Sequence, residues 1–221
     1  MNKISMLTLA MLVASGVNVS AEVKQAGVKS YVKGGLSYNK MKVTEKGNGV
    51  LNGKSTGFSI GYGASFGKGL RADAELKYIL EGKKNEFNDE DPSEVEASTY
   101  KSKTTSLMLN GYYDICTGTK WIPYVTAGIG LARNEFNYSE TEIDTTVLPF
   151  DVGTEVGKIT GTKFAYQAGL GVAYAINDAW KVDAGYKYSN YGKISKTFAA
   201  DDQVELKNKV NAFEVSARYA F

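Results

Sequence analysis

Eight segments of this 221-residue sequence alternate apolar residues with small or polar residues at a period of two. In residues 58–66, for example, the even positions hold Phe, Ile, Tyr, Ala and Phe, while the odd positions hold only Ser and Gly. A period of two is the side-chain repeat of a β-strand, so the chain is predicted to be all-β. The segments are 32–38, 58–66, 70–81, 107–115, 125–131, 164–176, 180–189 and 213–221.

The connections between these segments alternate strictly between short and long. Residues 67–69, 116–120 and 177–178 are short and turn-like, whereas 43–54, 83–103, 133–161 and 193–207 are long and polar. Antiparallel barrels of bacterial outer membranes have short periplasmic turns, long extracellular loops and an even number of strands. We therefore predict an eight-stranded antiparallel up-and-down barrel that is integral to the outer membrane. A water-soluble β-sandwich is the alternative, because strand patterns alone do not distinguish the two.

The face opposite the apolar one carries charges of both signs. In the third segment, apolar residues alternate with Arg71, Asp73, Glu75, Lys77 and Glu81. The interior of an eight-stranded barrel is just wide enough for side chains to fill it, so these charges are expected to pair in the lumen and to slow the passage of solutes. The predicted lumen network comprises Arg71, Asp73, Glu75, Lys77, Lys181, Asp183, Lys187, Glu214 and Arg218.

The first 21 residues are typical of a secretory signal. Lys3 is their only charge, the stretch 4–13 is apolar, and Val19-Ser20-Ala21 is a small-residue cleavage pattern. The expected domains are a cleaved signal at 1–21 and an outer-membrane barrel at 22–221. The apolar stretch is too short for a membrane-spanning helix.

Several stretches resemble a known family. Residues 109–114 (LNGYYD), 123–130 (PYVTAGIG) and 180–192 (WKVDAGYKYSNYG) are similar to the opacity-protein-like, eight-stranded outer-membrane barrels, and residues 164–167 (FAYQ) are similar to small rickettsial surface adhesins. Residues 213–221 resemble the final strand that the barrel-assembly machinery recognises, with Tyr219 and Phe221 as the expected assembly signal. The resemblance implies a cell-surface adhesin.

Catalysis is disfavoured by the absence of histidine, the commonest general base and metal ligand. Asp73 and Glu75 lie two residues apart, but we interpret them as paired lumen carboxylates, and no nucleophile–base pair, metal site or cofactor is predicted. Removing the signal leaves a net charge of about +1, so no nucleic-acid partner is expected. The single cysteine, Cys116, cannot form an internal disulfide, and its role stays open.

The long polar stretches are the candidate binding region, because loops on rigid scaffolds often carry binding residues. Their acidic residues include Glu86, Asp89, Glu90, Asp91, Glu94, Glu96, Glu140, Glu142 and Asp144. We hypothesise that they contact a host or matrix protein, while the barrel contacts outer-membrane lipid and lipopolysaccharide. The alternatives are a structural barrel without a specific ligand and a narrow channel for small solutes.

Overall fold

The computed structural model is a closed barrel of eight antiparallel strands in sequence order, with β1 paired to β8. The structure describes residues 28–45, 48–88, 94–144, 151–197 and 203–221; the predicted signal at 1–21 lies outside them. The strands are β1 (Lys29–Glu45), β2 (Asn48–Gly67), β3 (Leu70–Asn88), β4 (Glu94–Asp114), β5 (Trp121–Asp144), β6 (Asp151–Ala175), β7 (Trp180–Thr197) and β8 (Gln203–Ala220). The predicted fold is confirmed.

Alternation places the apolar face of each strand on the outer wall. Leu36 is 72% exposed and Leu170 is 63% exposed, whereas inward residues such as Glu75 are fully buried. In water such a wall would be unfavourable, and in an outer-membrane barrel it meets lipid. Among the described residues, no helix is long and apolar enough to cross a membrane.

Three short connections close one end of the barrel, which we call the turn end. Gly67, Lys68 and Gly69 all have positive φ, a conformation that glycine adopts without steric cost. In the β6–β7 connection, Asn177 Oδ1 accepts hydrogen bonds from the backbone N–H groups of Ala179 and Trp180 at 3.0 and 2.7 Å. These local contacts fix tight turns between neighbouring strands.

The opposite end, which we call the loop end, differs from the sequence prediction in where the strands stop. The stretches predicted as long loops are mostly strand: β5 and β6 continue to Asp144 and Asp151, and β1 and β2 to Glu45 and Asn48. Beyond the apolar band the outward residues are mostly polar and the inward row mixes polar with apolar residues, so the alternation seen within the band no longer marks these strands. Pairing still persists, because the ladder satisfies backbone hydrogen bonds whatever the side chains are.

A bulge between Ile79 and Gly82 corrects one expectation about the lumen. Counting by two from Arg71 places Glu81 inside, but Glu81 is exposed and Gly82 is buried. An extra residue in one strand shifts the following side chains to the other face. Ile79, which the charge pattern skipped, is the inward residue, and it is fully buried.

Close packing inside the barrel requires glycine where the backbone of a strand approaches a large inward side chain. The Tyr124 ring stands against Gly171, where a Cβ atom would lie 2.5 Å from the ring and from the Ala184 carbonyl. No Cβ tolerates such a contact, so glycine at this position makes room for the tyrosine. Inward glycines thus allow the lumen to be filled by side chains from the facing strands.

Candidate functional site

The centre of the lumen holds three lysines and three carboxylates, which we call the ionic core. Glu75 has no exposed surface, and its Oε2 lies 2.5 Å from Lys33 Nζ and 3.1 Å from Lys187 Nζ. Glu214 bridges Lys187 and Lys77, at 2.9 and 3.1 Å. Opposite charges this close offset much of the cost of removing each ion from water.

Asp73 completes the ionic core and accepts neutral donors as well. Its Oδ2 lies 3.0 Å from Lys33 Nζ and accepts a hydrogen bond from the Tyr31 hydroxyl at 3.0 Å. Its Oδ1 accepts a hydrogen bond of 2.9 Å from Asn110 Nδ2. Lys33 Nζ also donates to the Tyr112 hydroxyl at 2.8 Å. The carboxylate is therefore bound on both of its oxygens, as a buried charge requires.

A second charged layer, closer to the turn end, pairs two arginines with two aspartates. Arg71 Nε lies 2.9 Å from Asp114 Oδ1, and Arg218 Nη2 lies 3.1 Å from Asp183 Oδ1. The Arg71 guanidinium also stacks on the Tyr112 ring, 3.7 Å from its centroid. Planar guanidinium groups suit such stacked and multiply bonded positions. This arginine layer carries equal numbers of positive and negative groups.

Lys181 is the predicted network member that stands apart. Its side chain is half-buried at the turn end, where it lines a cavity of about 310 Å³ together with Tyr31 and Arg218. Among the described residues, no carboxylate oxygen lies within ion-pair distance of its Nζ. The structure brings the other eight predicted residues into two adjacent layers: Arg71, Asp73, Glu75, Lys77, Asp183, Lys187, Glu214 and Arg218.

Sequence reasoning missed several partners in these layers, among them Lys33, Tyr112 and Asp114. All three stand on the polar side of their segments, so the alternation already pointed them inward. The missing information was height along the barrel axis, which only the strand register supplies. In that register Lys33 lies opposite Arg218 on β8, and Arg71 lies opposite Tyr112 on β4.

An apolar layer covers the ionic core on the side of the loop end. Seven of the eight strands contribute one buried residue each to it: Met41, Ile79, Met108, Ala132, Ala165, Tyr191 and Val210. From β2, Ser55 donates a hydrogen bond to Met41 Sδ at 3.5 Å. We call this set the apolar seal, because charged solutes cannot cross it without losing hydration.

Two further layers lie between the apolar seal and the loop end. In the first, Asn134 Oδ1 accepts hydrogen bonds from Thr104 Oγ1 at 3.0 Å and Asn208 Nδ2 at 2.8 Å. The second is apolar and consists of Val43, Phe136, Ile159, Ile194 and Leu206, with Tyr138 packed against it. The lumen is therefore closed by stacked layers of different chemistry, and the inward apolar residues were not anticipated from the sequence.

The acidic residues predicted to bind a partner fall at the loop end. Glu86 lies on β3, Glu94 and Glu96 on β4, and Glu140, Glu142 and Asp144 on β5. The backbone register places Glu94 opposite Asp144 and Glu96 opposite Glu142. Asp89, Glu90 and Asp91 lie outside the described residues. The described members thus share the neighbouring tips of β3, β4 and β5.

A cluster on the outer wall near the loop end centres on Glu135. Its carboxylate lies 3.0 Å from Lys158, 3.2 Å from Lys103 and 3.5 Å from Arg133. Among the side chains of β5 that the structure describes, Leu131 is the exposed large apolar one nearest the loop end. Glu135 stands beyond it and so lies outside the membrane-facing band. The hydrogen bond from Lys158, with support from Lys103, lowers the pKa of Glu135. We call this group the Glu135 cluster.

The residues of the expected assembly signal lie on the outer wall at the turn end. Tyr219 is 39% exposed and Phe221 is 52% exposed. The Tyr219 ring packs on Trp180 of β7, with centroids 5.0 Å apart, and Phe221 N–H donates to the Ser30 carbonyl at 2.9 Å. Their position is compatible with recognition of the final strand, which stays a prediction.

Comparison with known proteins gives one family and several relatives. The family described as "Outer membrane protein beta-barrel domain" matches residues 7–221. Outer membrane protein PagN of Salmonella typhimurium is 35% identical over 127 residues, which are 54% of this chain and 50% of PagN, so the match spans half of that relative's length. A protein of Rickettsia conorii whose name describes it as a candidate adhesin, RC1281, is 27% identical over 190 residues, 81% of this chain and 74% of that protein.

Among solved structures, the Neisserial surface protein A has the same fold. It superposes with a TM-score of 0.55 at 19% identity, covering 87% of this chain and 97% of that protein. At this identity the likeness concerns the fold alone. The resemblance to opacity-protein-like barrels inferred from the sequence is confirmed by these matches.

Proposed function

Since the chain belongs to the outer membrane protein beta-barrel domain family, we propose that it is an adhesin that binds a host or matrix protein through the loop end of its barrel. It is an integral protein of the bacterial outer membrane, so the loop end faces the outside of the cell. The naming of the rickettsial relative supports adhesion. We further propose export by the signal at 1–21, assembly through Tyr219 and Phe221, and no enzymatic activity.

The observation that carries this proposal is the combination of a sealed lumen with long strands. Two apolar layers and two charged layers fill the interior, which favours a scaffold over a channel. At the same time β5 and β6 run for 24 and 25 residues, well beyond the length that a membrane requires. Strands that project past the lipid hold their tips at a fixed distance from the membrane, which suits contact with another surface.

The acidic tips of β3, β4 and β5 are the proposed contact region. Their backbones are ordered by continuous pairing up to Asn88–Glu96 and Asp144–Asp151. A rigid support lowers the entropy lost on binding, because fewer residues have to be ordered by the partner. Carboxylates presented there would recognise a basic region of a protein partner.

The test is adhesion of a non-adherent bacterial strain that displays the barrel on its surface. In the trimmed variant, an Asn-Gly turn replaces residues 86–98, joining Asn85 to Thr99, which are already opposite each other in the register. A second Asn-Gly turn replaces residues 139–156, joining Tyr138 to Gly157. We expect the trimmed barrel to assemble and the displaying cells to lose most of their binding to host cells.

A matched control trims the tip that the proposal does not use. An Asn-Gly turn replaces residues 198–202 between Thr197 and Gln203, and adhesion should stay unchanged. A variant with full-length strands, E140Q/E142Q/D144N, separates charge from length and should weaken binding without abolishing it. Equal adhesion of the trimmed barrel and the intact barrel, with both present at equal surface levels, would refute the proposal and leave a structural barrel without a ligand.

A further inference from the structure

Six lysines form a strip on the outer wall near the loop end, five of them exposed and Lys207 half-buried. We call them the lysine patch: Lys40, Lys42, Lys54, Lys193, Lys207 and Lys209. They lie on β7, β8, β1 and β2, which are consecutive around the barrel. In the register, Lys40 is directly opposite Lys54, and Lys42 is directly opposite Lys209. Lys193 is likewise opposite Lys207. Three like-charged pairs on adjacent strands therefore follow one another along the wall.

Within the part of the chain that the structure describes, most of the lysine patch has no carboxylate partner. Only Lys193 has a carboxylate partner among the described residues, Glu205 at 3.2 Å. On the opposite side of the barrel, the Glu135 cluster brings three cations onto one carboxylate at a similar height. Like charges directly opposite each other on neighbouring strands are destabilising. An anion bound from outside would remove that repulsion.

Aromatic rings lie immediately below the lysine patch. Tyr38 is opposite Phe213 in the register, and the Phe213 ring packs edge-on against Tyr186 with centroids 5.3 Å apart. Lys40 follows Tyr38 by two residues, a distance of roughly 6 to 7 Å along a strand. Aromatic residues of membrane barrels mark the boundary between hydrocarbon and headgroups. The ammonium groups therefore lie at the depth of the lipid headgroups.

These rings and the outer wall below them form a concave apolar groove of about 1110 Å³. Residues from both ends of the sequence line it, because β1 meets β8 here: Leu36, Phe58, Leu170, Val172, Ala184 and Val215. These side chains point outward into the membrane-facing band. A concave apolar wall contacts a flexible hydrocarbon chain over more area than a convex one, so the groove favours acyl chains held in one place.

We propose that the lysine patch and the groove together bind one phosphorylated, multiply acylated glycolipid of the outer leaflet, with lipopolysaccharide as the chemical class. Lys40, Lys54 and Lys209 contact its phosphates, and the groove holds its acyl chains. A sulfated glycan would use the lysine patch without the groove, and a protein partner would have to displace lipid from it. An amphipathic lipid with phosphates at headgroup depth uses both features at once.

The experiment measures binding of lipid A to the folded full-length barrel in detergent micelles, by titration and by native mass spectrometry. The patch variant is K40Q/K42Q/K54Q/K209Q. The control, K101Q/K103Q/R133Q/K158Q, removes the same four charges from the β4–β6 side at a similar height. We expect the patch variant to bind lipid A about tenfold or more weakly, and the control to change affinity by about twofold or less. Equal losses in the two variants would overturn the proposal, because they would indicate general attraction between charges.

Chemical variants of the ligand test the phosphates and the acyl chains separately. Lipid A without its phosphates should bind about as weakly to the intact barrel as lipid A does to the patch variant. Heparin, or inorganic phosphate at matched phosphate concentration, should fail to displace lipid A. Undiminished binding of the dephosphorylated lipid, or full displacement by heparin, would overturn the assignment to a phosphorylated lipid.

The groove is tested by filling it. Ala184→Phe places a ring in the groove, whereas Ala127→Phe adds the same ring to an exposed position on β5 outside it. We expect Ala184→Phe alone to weaken lipid A binding, by about fivefold, through lost acyl contact. Equal affinities for the two variants would remove the groove from the site. For every variant, the mobility shift of the folded barrel on unheated gels reports assembly.

Discussion

The ionic core and the lysine patch are both rich in lysine, but they differ in whether the lysines are paired with carboxylates. In the ionic core, Lys33 and Lys187 converge on the fully buried Glu75, and every cation has a carboxylate within 3.1 Å. In the lysine patch, Lys40 and Lys54 stand opposite each other on neighbouring strands, with no carboxylate of the described residues close enough to pair.

The difference follows from the surroundings. A buried charge loses its hydration and must find its counter-charge within the chain, or it strongly destabilises the fold. A charge at the headgroup level keeps water and can take its counter-charge from a neighbouring molecule. Complete pairing in the ionic core therefore indicates a structural role, whereas unpaired cations in the lysine patch indicate a place for a ligand.

Breaking the ionic core should give the largest effect on stability. We expect Glu75→Gln to lower the free energy of unfolding by about 3 to 5 kcal/mol, because Lys33 and Lys187 would remain charged in a buried site. Urea unfolding of the barrel in lipid vesicles measures the change. Glu205→Gln breaks the exposed pair with Lys193 and should cost less than about 1 kcal/mol. Similar losses for the two variants would contradict the distinction between inside and outside.

Two buried tyrosines should respond in opposite directions to loss of the hydroxyl group. The Tyr112 hydroxyl accepts a hydrogen bond from Lys33, and Tyr112→Phe should cost about 1 to 3 kcal/mol. The Tyr191 hydroxyl is buried and has no hydrogen-bond partner among the described residues. Tyr191→Phe should therefore leave the free energy of unfolding unchanged or raise it by up to about 1 kcal/mol. A loss at Tyr191 as large as at Tyr112 would show that its hydroxyl is satisfied.

Reversing one charge in the lysine patch should stabilise the barrel slightly. We expect Lys54→Glu to raise the free energy of unfolding by about 0.2 to 1 kcal/mol in phosphate-free detergent, because it converts repulsion with Lys40 into attraction. The gain should shrink as salt is added. Lys101→Glu, on β4, is the control outside the patch. A stability loss for Lys54→Glu at low salt would show that Lys40 and Lys54 do not repel each other.

The smallest effect is the pH dependence of the Glu135 cluster. The pKa of Glu135 lies below the ordinary value of 4.5, so the folded state favours the ionised carboxylate. This contribution is fully present above pH 4.5 and is lost as the pH falls through the lower pKa of the folded state. The stability difference between the unmodified chain and Glu135→Gln, below about 1 kcal/mol at pH 7, should shrink progressively as the pH falls below 4.5. A difference that grows on acidification would contradict the sign of the pKa shift.

Much of the barrel follows from the sequence because alternation is a local signal. It assigned the inward and outward faces of all eight strands, and it placed Glu75, Lys77 and Lys187 in the lumen before their partners were visible. It could not give the height of each residue along the barrel axis, because height depends on how neighbouring strands are staggered. For that reason the apolar seal was missed: Met41, Met108 and Val210 are scattered apolar residues in inward rows that are mostly polar.

Two other differences have equally simple causes. Glu81 was placed inside because one additional residue in the β3 bulge leaves no mark in an alternating pattern. The strand ends were placed too early, because an outward row of mostly polar residues is typical of loops and also of strands that stand in water. The lysine patch was invisible to sequence reasoning, since its members are separated by up to 169 positions (40 to 209) and meet only where β1 pairs with β8.

The apolar seal takes one side chain from each of seven strands, so it fixes the register between the strands of the whole barrel. A slip of two residues between any two strands would keep most side chains on their proper faces. In at least one direction, however, it would replace a member of the layer by a polar side chain such as Asn39, Lys77 or Asn208. The strand tips lie beyond both apolar layers. Residues of the recognition surface can therefore change one at a time during evolution, whereas the barrel wall tolerates almost no change in the register between its strands.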